Sequence, residues 1–125
     1  MILDTNAVSA LLDGDKSLAT VLAVAERHHL SAITLGEYRY GLKNSRHKRA
    51  LESLLETLES ESFLLVLDND TARHYADIRS ELKSAGRPIP ENDIWIAALA
   101  RQHRHPIVSR DGHFDDVTGI RRIGW

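Results

Sequence analysis

Four carboxylates, Asp4, Glu37, Asp93 and Asp111, stand at positions from which a folded chain could bring them together. Grouped acids with no thiolate among them form the donor set of a hard divalent cation, Mg2+ or Mn2+, rather than Zn2+. The chain has no cysteine, which also excludes disulfides and thiol catalysis. Two carboxylates about 4 Å apart repel by about 4 kcal/mol at an effective dielectric near 20. Several such pairs rival the roughly 5–15 kcal/mol that holds a domain together. The fold must therefore protonate some of the acids, pair them with bases or bind a cation. Arg39 and Arg110 adjoin Glu37 and Asp111 in sequence, whereas neither Lys nor Arg stands beside Asp4 or Asp93. The cation is the favoured outcome. The seven histidines show no metal-ligand spacing, and His28-His29 read as packing or surface residues.

The elements that position these acids follow from composition and periodicity. A chain of 125 residues with 42% hydrophobic and 27% charged residues builds one core, and a single domain over 1–125 is expected. The net charge of −2 is not that of a bulk polycation, so any nucleic-acid surface must be local. No apolar run approaches the roughly 20 residues of a membrane span, and the opening Met-Ile-Leu-Asp has no basic, signal-like segment. A cytoplasmic protein with no membrane partner is expected. Strands are expected at Ile2-Leu3, His29–Ile33, Phe63–Leu67, Pro106–Val108 and Arg121–Ile123. Between them lie helical patterns, namely Leu18–Ala25, Thr34–Lys43, the Leu51–Leu58 stripe, Thr71–Ala85 and Asn92–His103. This alternation predicts a layered α/β domain, a largely parallel sheet of four to five strands with helices on both faces. The apolar run Phe63–Leu67 reads as a buried parallel strand.

In such a sheet the carboxyl ends of the strands share one edge, and Asp4, Glu37 and Asp111 converge there. Asp93 joins them if residues 86–91 carry the chain back along the length of the preceding helix, about 20 Å of extended backbone. Each acid also has a local reading. Asp4 suits the cap of a short helix starting near Asn6, and Thr34-Leu-Gly-Glu37 matches a capping box. Asp93 suits the field at a helix start behind an Asn92 cap, and Asp111-Gly112 suits a turn.

The motifs in order resemble those of PIN-domain ribonucleases, especially the VapC-type toxins of toxin–antitoxin pairs. Met1-Ile-Leu-Asp-Thr-Asn6 is similar to the family's opening, and Thr34-Leu-Gly-Glu-Tyr-Arg-Tyr-Gly41 to its second motif. Asn92-Asp-Ile-Trp-Ile-Ala-Ala97 is similar to its third, and Val108-Ser-Arg-Asp-Gly-His-Phe114 with Gly119–Trp125 to its close. The resemblance implies a PIN-like fold and a Mg2+- or Mn2+-dependent endoribonuclease held inactive by a cognate VapB-type antitoxin. It also implies a homodimer. Asp4, Glu37 and Asp93 match the family's regular metal-binding acids and Asp111 its variable fourth, a place that Asp115 or Asp116 could take instead. Asn6 matches a polar residue that orders the site by hydrogen bonding. Hydrolysis by an activated water would leave a 5′-phosphate and a 3′-hydroxyl.

The basic run Arg39, Lys43, Arg46 begins on the helix of Glu37 and suits an RNA backbone, or else complements a helix C-terminus. A different class, a response-regulator receiver with Asp68 as phosphoacceptor after the third strand, has the right length. It lacks an acidic pair after the first strand, and Arg110 stands where it needs a Lys. A haloacid-dehalogenase phosphatase needs an Asp at position 6, where this chain has Asn6.

Overall fold

The computed structural model describes residues 1–125 and contains five parallel strands, with the third of the chain at one edge of the sheet, followed by the second, first, fourth and fifth. In chain order these are β1 (Ile2–Leu3), β2 (His29–Ser31), β3 (Phe63–Leu65), β4 (Ile107–Val108) and β5 (Arg122–Ile123). The helices are α1 (Thr5–Leu12), α2 (Lys16–Leu22), α3 (Ala32–Leu42), α4 (Lys48–Ser60), α5 (Asn69–Ser84) and α6 (Glu91–His103), with a 3-10 turn over Gly112–Asp116. Alternation along the central strands separates two cores. Ile2 and Ile107 face α5, α6, Phe114 and Val117, while Leu3, Leu30 and Val108 face α1 to α4. The expected layered architecture is therefore present. No helix is long and apolar enough to cross a membrane.

Local chemistry sets the helix starts. Strand β2 stops at Ser31, short of the expected Ile33, because the Ser31 hydroxyl accepts from the Thr34 N–H and caps α3. Thr34 therefore lies inside the helix, where its hydroxyl donates to the Leu3 carbonyl and ties α3 to the end of β1. The textual capping box of Thr34 and Glu37 is not formed, and the Glu37 side chain is left for other work. Helix α6 starts at Glu91 behind Pro90, so Asn92 does not cap it and Asp93 stands in its first turn.

Two further expectations are corrected. Strand β3 lies at a sheet edge, and Phe63, Leu64, Val66 and Leu67 are exposed rather than buried. Helices α5 and α6 form an antiparallel pair. Asp68 and Thr71 at the start of α5 meet Gln102 near the end of α6, while Arg79 farther along α5 meets Glu91 at the start of α6. The segment after α5 therefore turns tightly instead of running back along a helix. Gly86 takes φ +66°, a conformation an L side chain resists, and the Arg87 N–H returns to the Leu82 carbonyl. Asp93 reaches the carboxyl edge of the sheet by this hairpin.

Candidate metal centre

Asp4 leaves β1 and caps α1. Its Oδ1 accepts from the Thr5 N–H at 2.8 Å, and its Oδ2 accepts from Asn6 Nδ2 at 2.9 Å and from the Ser109 hydroxyl at 2.7 Å. Asp4 is only 5% exposed. Ser109, just beyond β4 and wholly buried, also accepts from Asn6 Nδ2 at 3.0 Å and from the Asp111 N–H at 2.9 Å. Asn6 Oδ1 in turn accepts from the Arg110 N–H at 3.1 Å. The ends of β1 and β4 are thus joined by a network in which the Ser109 hydroxyl uses its one donor and both acceptor sites.

On the open side, Glu37, Asp93 and Asp111 line one cavity of ≈ 450 Å3 with Pro90, Glu91 and Asn92 and no hydrophobic side chain. Glu37 Oε1 accepts from the Thr5 hydroxyl at 3.2 Å, which sets Glu37 beside the Asp4 cap. His113 Nδ1 lies 3.2 Å from Asp93 Oδ2 and 3.0 Å from Asp111 Oδ1. Asp93, Asp111 and His113 each present one ligand atom within 4.8 Å of the others. Asp4 and Glu37 stand outside that tight group, Asp4 behind it and Glu37 on the cavity wall. Glu37 Oε2, Asp93 Oδ1 and Asp111 Oδ2 make no hydrogen bond within the chain.

The electrostatics of the group are unfavourable for charge. Burial pushes the Asp93 carboxyl up to about 6, with the charges of Asp4 and Asp111 adding to it and the His113 contact opposing it. Asp4 is also raised, chiefly by burial and only partly offset by its hydrogen bonds. No Lys or Arg pairs with Asp4, Glu37, Asp93 or Asp111. Arg39 pairs with Glu59, and Arg110 pairs with Asp15 at 2.8 Å while its guanidinium lies over Trp125. Of the three ways to relieve crowded acids, pairing with Lys or Arg is thus not taken, and the only base in contact is His113, shared between Asp93 and Asp111. Clustered oxygen donors, with free oxygens on Glu37, Asp93 and Asp111 and raised pKa values at Asp4 and Asp93, fit a hard divalent cation.

Other expected site residues lie elsewhere. Asp115 is held by a two-pronged pair with Arg122 at 2.9 and 2.7 Å, and Asp116 pairs with Arg87 at 3.0 Å, so neither carboxylate serves the cavity. Arg39 is tied to α4, whereas Lys43 and Arg46 are exposed and form no ion pair. Asp68 caps α5, accepting from the N–H and hydroxyl of Thr71 and from Gln102. Its strand is at the sheet edge rather than the centre, so the phosphoacceptor reading is set aside. Sequence spacing missed His113 and Ser109. The Asp111-Gly-His113 spacing in a turn is a signal for the first; the second needs the pairing of β1 with β4.

The family model for the PIN domain matches residues 1–120. The chain is 32% identical over 124 residues to the ribonuclease VapC5 of Mycobacterium tuberculosis, covering 98% of this chain and 90% of that protein. It superposes on the structure of DNA-bound VapBC from Salmonella typhimurium with a TM-score of 0.89 at 28% identity, over 99% of this chain and 96% of that one. It superposes on VapBC-5 of M. tuberculosis, a member of the VapBC family of toxin–antitoxin systems, with a TM-score of 0.76 at 28% identity, over 98% and 94% of the two chains.

Proposed function

The chain belongs to the PIN-domain family, and on that premise we propose that it is a divalent-metal-dependent endoribonuclease, a toxin restrained by a VapB-type antitoxin. The observation that carries this reading is the gathering of Asp93 and Asp111 beside Asp4 and Glu37 with no Lys or Arg among them. Asp4, Glu37, Asp93 and Asp111 would hold one or two Mg2+ or Mn2+ ions. When bound, the ion lowers the pKa of a water and offsets the charge building on the phosphoryl oxygens. The protein's residues supply the rest. Ser109 and Asn6 fix Asp4, Thr5 fixes one oxygen of Glu37, and His113 spans Asp93 and Asp111 so that both keep a free oxygen toward the cavity. Lys43 and Arg46, unpaired on the surface, are candidates to follow the RNA backbone. The cleaved products would carry a 5′-phosphate and a 3′-hydroxyl. The enzyme would act in the cytoplasm as a homodimer, in line with the resemblance of its motifs, with the antitoxin covering the acid cavity.

Digestion of total RNA by the purified protein tests this. Mg2+ or Mn2+ should yield discrete fragments with 5′-phosphates, and excess EDTA should stop cleavage until the ion is restored. Absence of cleavage with either ion overturns the nuclease reading, and cleavage undiminished in EDTA overturns the metal.

The raised Asp93 carboxyl gives a second check. Between its unfolded value of 3.8 and about 6, the folded state keeps a proton that the unfolded chain has released. Ionising this group therefore costs stability as pH rises through that window, and a bound cation removes the cost. Mg2+ should raise the melting temperature at about pH 7.5 and much less at about pH 5, where the ion must compete with the proton. Equal stabilisation at both values would show that Asp93 is not among the groups it binds.

A further inference from the structure

Beside the acid cavity lies a second cavity of ≈ 460 Å3 between the end of α5 and the start of α6. Glu91 lines both, with Ile89 on one side and Pro90 on the other. The second cavity has a different chemistry. Leu82, Ile89 and Ile94 give it an apolar floor, and Arg79 and Lys83, one helical turn apart on α5, stand on its wall. Lys83 forms no ion pair. Arg79 donates from Nη1 to the Tyr75 hydroxyl at 2.6 Å, that hydroxyl donates to Glu91 at 2.8 Å, and the Arg79–Glu91 ion contact is an exposed one of 3.6 Å that an incoming anion can replace. Arg79 also lies over the ring of Tyr75, which stacks on Trp95 with centroids 3.9 Å apart. The volume lies in the range of about 300–1,000 Å3 that encloses small ligands.

We propose that this cavity is a substrate subsite in which a nucleotide next to the scissile phosphate places its base on the Leu82–Ile89–Ile94 floor and its phosphate against Lys83 and Arg79. This rests on the nuclease reading and extends it. Charge decides the occupant. The acid cavity repels a phosphodiester chain, so the strand must be held by cations beside it. On the α3 side Arg39 is committed to Glu59 and the unpaired Lys43 and Arg46 stand at and beyond the end of the helix, whereas Arg79 and Lys83 adjoin the acids through Glu91. An apolar floor under two cations suits a flat base joined to a phosphate.

The test uses a fluorescein-labelled single-stranded RNA of about twelve nucleotides and the intact protein in EDTA, where affinity is read without cleavage. Lys83→Glu, an exposed change that spares the fold, should weaken binding about tenfold and flatten the dependence of affinity on salt. Arg79→Ala should weaken it in the same sense. A single abasic nucleotide walked along the strand should lower affinity at one position, and Ile89→Trp, which fills the floor, should abolish that positional effect. With Mg2+, Lys83→Glu should raise KM and leave kcat near wild type. Unchanged RNA affinity in Lys83→Glu overturns the subsite, whatever the variant does to a protein partner. A wild-type protein that binds RNA in this way but never cleaves it overturns the nuclease reading and leaves the subsite standing.

Discussion

Asp93→Asn will lower RNA cleavage on the order of a thousandfold while the protein stays folded. Groups that merely orient a metal ligand are worth about 10–100-fold, and a ligand itself is worth more. The substitution keeps the size of the side chain and its place in the first turn of α6, and removes only the charge. That charge is one the fold tolerates poorly, since burial and the neighbouring Asp4 and Asp111 push its pKa up to about 6. Thermal melts in EDTA near neutral pH should therefore show the variant at least as stable as the wild type, because the cost of ionising a buried carboxyl is gone. Mg2+ should stabilise it far less than it stabilises the wild type. Loss of activity accompanied by a clear drop in melting temperature would make Asp93 a structural residue. Activity within a few-fold of wild type would remove it from the metal.

The contrast between Asp93 and Glu37 shows which parts of this site the chain's spelling discloses. Helices were legible because apolar spacing and punctuation agree. Ile78 and Leu82 face the core, and Gly86 stops α5 where the pattern ends. Strand β1 was legible from two apolar residues and an acid because the cap comes at once, and Asp4 serves both as cap and as cluster member. Asp111 does likewise, its Oδ1 accepting from the His113 N–H while Oδ2 stays free. The structural and functional readings of these two acids were therefore not alternatives, since a carboxylate has two oxygens to divide between them. For Glu37 they were alternatives. The choice turned on whether Ser31 or Thr34 caps α3, one turn of difference that the letters alone do not settle.

What stayed illegible depends on strand order and helix direction. A continuous apolar run such as Phe63–Leu67 is the same string at the centre of a sheet or at its edge. Only the pairing of β3 with β2 alone decides that it is exposed. The same holds for the basic residues. Sequence clustering runs a positive track from Arg39 through Lys43 to Arg46, but the packing of α3 against α4 gives the Arg39 guanidinium to Glu59 and leaves the other two unpaired. Arg79 and Lys83, unremarkable within α5, gain a place beside the acids because α5 and α6 run antiparallel.

Ser109→Ala, at a residue that touches no substrate, will cost 10–100-fold in Mg2+ affinity. Its hydroxyl is the one group that contacts Asp4, Asn6 and the Asp111 N–H together, and it does so with no access to water. Removing it leaves the Asp111 N–H without a partner and takes from Asp4 one of the hydrogen bonds that hold down its raised pKa. Each buried polar group left unpaired costs about 1–3 kcal/mol, so the melting temperature should fall by several degrees. Stability alone does not identify the role, because any buried serine could show as much. The discriminating measurement is a Mg2+ titration of cleavage at a temperature where the variant is fully folded. A positioning residue shifts the half-saturating Mg2+ concentration upward, and excess ion restores most of the rate. A residue that only packs leaves the titration midpoint where it was. Ser109→Thr, which retains the hydroxyl, should return the midpoint toward wild type if it folds. A midpoint unmoved in Ser109→Ala would separate the β4 end from the metal and leave Asp4 held by Asn6 and Thr5 alone.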